Sequence, residues 1–170
     1  IKAEKTYDIS ADLYSLSEYS NYVICSGAKS ILDLDKTYEL LETLGITRIG
    51  YKTDYMPGFW YHQTNKKVDY NFKSIEKLLK YLKTSEEINQ NVSTLIFNTI
   101  NKGKTISKIK MDKWINNSIK KAVKKSVKGK ELTPYLIKEI NKLSKNKTLK
   151  TNIDLIINNA SLASKLASRY

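Results

Sequence analysis

A chain of 170 residues is the size of one ordinary domain, and 41% hydrophobic residues are enough to bury a core. No apolar run approaches the roughly 20 residues that cross a bilayer, no charged-then-apolar leader is visible, and the single cysteine, Cys25, excludes an internal disulfide. A net charge of +13 suits nucleic acid, a membrane surface or anionic substrates, but the lysines are spread through the chain among asparagines, which fits a solvated basic surface better than a dedicated polyanion site.

Residues 1–12 read as a polar leading segment containing Asp8-Ile-Ser-Ala-Asp12. Tyr22-Val-Ile-Cys25 is a short apolar run followed at once by Ser26-Gly27, which predicts a buried strand ending in a turn, with an inert buried thiol. Asp33 or Asp35 caps a helix that runs to about Leu44 and stops at Gly45. Thr47-Arg-Ile-Gly-Tyr51 is a second strand, so strand, turn, helix and strand form a parallel α/β unit. Pro57-Gly-Phe-Trp-Tyr61 interrupts the pattern as an aromatic loop. Ile75, Leu78, Leu79 and Leu82 recur at helical spacing and predict a helix near residues 74–84. Ser93-Thr-Leu-Ile-Phe97 is a third strand. The remainder is helical. Ile115, Ile119, Ala122 and Val123 line one face of a lysine-rich helix, broken at Lys128-Gly-Lys130. Thr133-Pro134 reads as an N-cap followed by proline at the first helical position. Leu136, Ile137, Ile140 and Leu143 form that helix's apolar face. A last helix from about Leu149 to Ala167 carries Ala160, Ala163 and Ala167 on a side suited to close packing. The fold class expected is α/β, with a central sheet, flanking helices and a helix-rich C-terminal part. No repeat, heptad array or flexible linker divides it.

Four groups of residues could carry chemistry. Lys29 follows a strand and a turn, where ligands bind in open α/β sheets. It could be a phosphate-binding cation, an amine nucleophile, or a surface lysine at a helix start. A nucleophilic lysine must shed its proton, and at a reference pKa near 10.4 only about one in a few thousand is neutral at pH 7. Burial or a neighbouring cation would have to lower that value. Asp8 and Asp12, with Ser10 and Ala11 between them, suit a hard divalent cation or sugar hydroxyls, or a helix N-cap near Asp8 or Ser10. Thr151-Asn152 opens the last helix, where free N–H groups could meet a phosphate or simply be capped. Tyr51 to Tyr61 is an aromatic loop that could cover a site or pack on a neighbouring subunit. His62 is the only histidine, so a zinc site is not expected, and no dinucleotide, Walker or nucleophile-elbow motif occurs.

Taken in order, these segments resemble the pseudouridine-5′-phosphate glycosidase family, also called indigoidine synthase A-like. The matching stretches are Asp8-Ile-Ser-Ala-Asp-Leu13, Val23-Ile-Cys-Ser-Gly-Ala-Lys-Ser-Ile-Leu-Asp33, Leu41 to Gly45, Ile49 to Asp54 with Pro57, Gly129 to Leu136, and Thr151 to Leu155 through Asn158-Asn-Ala160. The family cleaves the C–C glycosidic bond of pseudouridine 5′-phosphate to uracil and ribose 5-phosphate, reversibly. It uses Mn²⁺ and is usually a homotrimer. By motif, Lys29 matches the family's Schiff-base lysine and Asp8 its metal-linked aspartate. Ser10, Ala11 and Asp12 match the substrate-contacting run, and Asn152 a polar active-site position. The sequence departs at Ser26, where alanine is common, and at Asp54 to Phe59, where the family has Asp-Glu-Phe-Pro-Ala-Phe. The resemblance covers only the family's second half. It therefore implies that residues 1–170 are the C-terminal portion of a single glycosidase domain, completed by an N-terminal half that carries a general-acid glutamate and a further lysine, on the same polypeptide or on a separate chain. The opening Ile1 fits that expectation. An inactive paralogue acting as a scaffold subunit is the competing expectation, and a basic nucleic-acid-binding domain a more distant one. A cytoplasmic or organellar location is expected.

Overall fold

The computed structural model describes residues 12–88, 93–100 and 102–170. In chain order the elements are α1 (Asp12–Glu18), β1 (Tyr22–Cys25), α2 (Leu34–Thr43), β2 (Thr47–Tyr51), β3 (Tyr70–Phe72), α3 (Ile75–Glu87), β4 (Thr94–Asn98), α4 (Lys108–Lys124), α5 (Leu132–Leu143) and α6 (Lys147–Ala167). The expected α/β class is the one adopted. The four strands are all parallel, in the order β1-β4-β2-β3. Parallel neighbours cannot be joined by a hairpin, so each connection crosses over, and the crossover helices cover both faces of the sheet.

Alternation along the strands sorts the core into two layers. Ile49 and Ile96 are register partners on one face, packed with Leu78 and Leu82 of α3 and Leu162 and Leu166 of α6. Leu95 and Phe97 point the other way, against Leu13 of α1 and Leu41 of α2. Central β4 is buried at every residue, as a strand covered on both faces must be. A third cluster lies apart from the sheet clusters, where Ile31, Trp60 and Tyr61 meet Met111, Ile115 and Ile140.

β1 and β2 have the limits expected from their apolar runs, and the third expected strand starts one residue later, at Thr94. Asp33 caps α2 by accepting from the Lys36 N–H at 3.1 Å, and Gly45 leaves the helix at φ +67°. β3 carries too few residues to show a pattern, and its entry is fixed by a long-range pair. Arg48, only 7% exposed, donates from Nε and Nη2 to Asp69 at 3.0 and 2.6 Å, and Tyr38 lies under its guanidinium.

Four expectations about the C-terminal helices need correction. On α4 the buried stripe is Met111, Ile115, Ser118 and Ala122, whereas Val123 is 72% exposed. The small Ser118 sits where an apolar count finds nothing, and it turns the buried face away from Val123. α5 starts at Leu132 after a 3₁₀ turn, so Thr133 is not its cap and Pro134 is its third residue. Proline is still tolerated there, because the first-turn N–H groups have no helical acceptor. α6 starts at Lys147, so Thr151-Asn152 lies a full turn inside it rather than at its opening. Leu155, Leu162 and Leu166 are its packed side, while Ala160 and Ala167 are exposed. No helix among the described residues is long and apolar enough to cross a membrane.

Candidate active site

β1 delivers its chain to the carboxyl edge of the sheet at Cys25 and turns at Ser26-Gly27. Gly27 holds φ +84°, and a Cβ there would lie 1.9 Å from the Pro57 carbonyl oxygen. Only glycine therefore lets the turn lie against the Pro57–Trp60 loop. Two hydrogen bonds fasten the contact. The Phe59 N–H donates to the Ser26 carbonyl at 3.0 Å, and the Ser30 hydroxyl donates to the Gly58 carbonyl. The Leu32 N–H closes a turn on the Lys29 carbonyl at 2.9 Å, and Ile31 is sunk in the third cluster. Lys29 thus rides on a backbone tied down on either side while its own side chain is exposed.

Beneath this turn lies a cavity of about 380 Å³. Cys25, Phe59 and Phe97 are among its apolar walls, and Asp12, Lys29, Asp33 and Lys36 bring charge to it. Such a mixture of apolar lining and few polar groups is typical of a small-molecule site. Burial pushes the Cys25 thiol up to about 11, against a smaller opposing hydrogen bond from the Gly27 backbone. The thiol is therefore protonated and inert at neutral pH, as expected from its apolar run.

Of the residues singled out from sequence, Asp12 and Lys29 line this one cavity. Asp8, Ser10 and Ala11 lie outside the described residues. Asn152 does not line the cavity. It sits behind the aromatic loop, where its Oδ1 accepts from the Trp60 indole at 2.7 Å. His62 is a half-buried loop residue. Among the described residues no three His, Cys, Asp or Glu side chains gather to hold a metal. Asp12 and Asp33 supply two carboxylates, too few for the hard cations that take about six oxygen ligands. The described residues by themselves do not make a manganese site. The basic surface is partly neutralised: Lys121 and Lys142 both pair with Glu139, at 3.0 and 3.5 Å, and hold its carboxyl below the usual range.

The sequence did not reveal a polar cluster at the strand ends. Ser26 is 2% exposed and donates to the Asn98 carbonyl at 2.9 Å, and its hydroxyl lies 3.2 Å from the Asn159 amide. Asn98 Nδ2 donates to the Asn158 carbonyl, and Asn158 Nδ2 donates to the Thr99 carbonyl, both at 3.1 Å. The pair Asn158-Asn159 was visible as a motif, but nothing local says that it clips β1 and β4.

Comparison with known proteins places this geometry. Residues 1–169 match the family model described as indigoidine synthase A like protein. The pseudouridine-5′-phosphate glycosidase of Petrotoga mobilis is 40% identical over 168 residues, covering 99% of this chain and 55% of that protein. The glycosidase of Brachyspira hyodysenteriae is 38% identical over 168 residues, covering 99% and 54%. Among solved structures, an indigoidine synthase A-like protein of Thermotoga maritima superposes with a TM-score of 0.82 at 29% identity, over 94% of this chain and 53% of that one. A prealnumycin C-glycosynthase, solved with ribulose 5-phosphate, shares the fold with a TM-score of 0.88 at 24% identity, over 98% and 56%. The chain spans about half the length of the curated relatives it matches.

Proposed function

The chain belongs to the indigoidine synthase A like family, and on that premise we propose that it is the lysine-bearing half of a pseudouridine-5′-phosphate glycosidase. The observation that carries this reading is 40% identity to such an enzyme over 99% of the chain. The placement of Lys29 and Asp12 around one cavity supports it.

The substrate explains why an amine is needed. Ordinary glycosidases protonate a leaving oxygen, and a C-glycoside has none. In this reading the unprotonated Lys29 Nζ attacks C1′. The C1′–O4′ bond breaks, its electron pair stays on O4′, and O4′ takes the proton that the new C1′-bound ammonium gives up, so the sugar ring opens and the nitrogen regains a lone pair. A proton is added to uracil C5. The nitrogen lone pair then forms C1′=N⁺ while the C1′–C5 bond breaks, its electrons returning to the uracil ring. Water hydrolyses the iminium, releasing ribose 5-phosphate and the free lysine. The family's glutamate, in the half not matched here, is the proton donor. Ser10, Ala11 and Asp12 hold the sugar, whereas Asn152, which the resemblance also offers as an active-site position, holds the Trp60 indole outside the cavity lining. Asp8 would help to hold a Mn²⁺ ion, a Lewis acid through which no step above passes, and the assembled enzyme is a homotrimer. These assignments come from the family resemblance.

Borohydride reduction in the presence of ribose 5-phosphate tests the central claim. The protein with both halves should gain one covalent adduct, located at Lys29 by peptide mass. Lys29→Ala should gain none. Equal trapping in the alanine variant would remove the assignment, and no trapping in the parent would favour an inactive scaffold subunit.

A further inference from the structure

Two groups of lysines stand along α4, and they differ in what faces them. The groove between α4 and α5 holds Lys121, Lys124, Lys125 and Lys142, and there Glu139 supplies a counter-charge by pairing with Lys121 and Lys142. Near the other end of α4, a cleft of about 570 Å³ opens between the start of that helix and the α5–α6 turn. Lys110, Lys113, Lys145 and Lys147 line it, together with Ser107 and Trp114. Among the described residues no carboxylate lines this cleft, and none of its four lysines has an ion pair. Like charges gathered in a cleft repel one another and focus a positive field into it. The turn that carries Lys145 and leads into Lys147 is held in place. Its Ser144 is 7% exposed, donates to the Asn141 carbonyl at 3.0 Å and accepts from the Thr148 N–H at 3.2 Å. Trp114 is half-buried, packed against the third cluster while also lining the cleft. Ser107 makes no side-chain capping bond to α4.

Four lysines alone would suit any anion. The indole among them narrows the choice, because a base stacks on an aromatic ring while its phosphate meets the cations. We propose that this cleft is a nucleotide site, with the base against Trp114 and the phosphate among the four lysines. It is separate from the Lys29 cavity, with which it shares no lining residue, and it goes beyond the glycosidase reading. The ligand chemistry, a base joined to a phosphate, occurs in a free nucleotide and in single-stranded RNA.

Fluorescence titration of the protein with both halves is the test. The probes are uridine 5′-monophosphate, a short oligouridylate, inorganic phosphate and polyglutamate, each titrated with and without saturating ribose 5-phosphate. Trp60 is 1% exposed, so quenching that persists with ribose 5-phosphate and is absent from Trp114→Phe reports the cleft. Equal affinity for the two nucleotide probes identifies a free nucleotide as the ligand, and tighter binding of the oligouridylate identifies the strand. The double variant Lys113→Ala/Lys145→Ala changes two exposed side chains and should weaken binding about tenfold or more. For the oligouridylate, the slope of log affinity against log salt should shrink by about 0.7 for each lysine removed. Trp114→Leu should weaken binding about fivefold or more, measured by calorimetry, whereas Trp114→Phe keeps a ring and should retain most of the affinity. The lysine variant should still be trapped at Lys29 by borohydride at the parent rate. Parent-like affinity in the lysine variant, phosphate or polyglutamate binding as tightly as the nucleotide probes, or no response to either nucleotide would overturn the proposal.

Discussion

Replacing Gly27 by alanine separates backbone strain from misplacement of the lysine. At φ +84° a non-glycine residue costs about 1–2 kcal/mol on conformational grounds. The new Cβ would lie 1.9 Å from the Pro57 oxygen, whereas contacts under 3.0 Å force something to shift. The turn must therefore retreat by about 1 Å, which also stretches the 3.0 Å bond from Phe59 to Ser26. Misplacing a reacting group by about 1 Å costs about a hundredfold in rate. Gly45 supplies the control. It sits at φ +67° with no atom within 4 Å of its built Cβ, so Gly45→Ala carries the backbone cost alone. Thermal unfolding and the rate of borohydride trapping with ribose 5-phosphate, measured on both variants, are the assay. Both variants should lose a few degrees of Tm, since about 1 kcal/mol shifts a chain of this size by about 2–4 °C. Only Gly27→Ala should lose trapping, by about two orders of magnitude. Trapping at the parent rate in Gly27→Ala would refute the claim that this close approach positions Lys29.

Asp69→Ala leaves the 7%-exposed Arg48 with the Tyr38 ring beneath it and a 3.6 Å contact to the exposed Glu42, so chemical denaturation should show a loss of about 3 kcal/mol, the low end for breaking a buried pair. The lower end is expected because the Asp69 side chain is itself 30% exposed. Cys25 should react with iodoacetamide far more slowly than a free thiol at pH 8, with a rate rising about tenfold per pH unit until the group titrates at about 11. Because burial favours the protonated thiol in the folded state, the stability it contributes is full below about pH 8.5 and is lost as pH rises from there through about 11. Intact mass against time checks the first statement, and denaturation midpoints across that window check the second.

The parts of the fold visible in the sequence are those set by local chemistry. Tyr22–Cys25 and Thr47–Tyr51 are apolar, β-branched or aromatic runs ended by turn residues, and both strands form with those limits. Asp33 caps α2 through its own next turn. What was hidden depends on partners far away in sequence. β3 needs the Arg48–Asp69 pair across 21 positions. The start of α6 depends on Lys145 and Asn146, which hold φ +52° and +63° without being glycine. Asn152 looked like a helix opening because its partner, Trp60, is 92 positions away. Lys29 and Asp12 were visible as residues after a strand and before a helix, but their common cavity comes from Leu13 and Leu41 packing on the same sheet face.

The geometry of α6 explains why asparagines stand where they do. Its 21 residues extend about 31 Å, whereas five-residue β4 spans about 17 Å. A helix lying along the sheet must therefore overhang it. Leu166, Leu162, Asn159, Leu155 and Asn152 recur at helical spacing and form one stripe running back toward the helix start. Beside the strands the stripe is leucine, since Ile49 and Ile96 face it. At the strand ends the ladder stops, and the carbonyls of Asn98 and Thr99 need donors. There Ser26, with Asn159 beside it, and Asn158 meet those carbonyls. Two turns further out, beyond the buried Leu155, Asn152 instead holds the indole of the loop that walls the cavity. The first asparagine of that stripe, Asn159, thus stands at the edge of the sheet, and the elements that position Lys29 are fastened to a rigid helix rather than to one another alone.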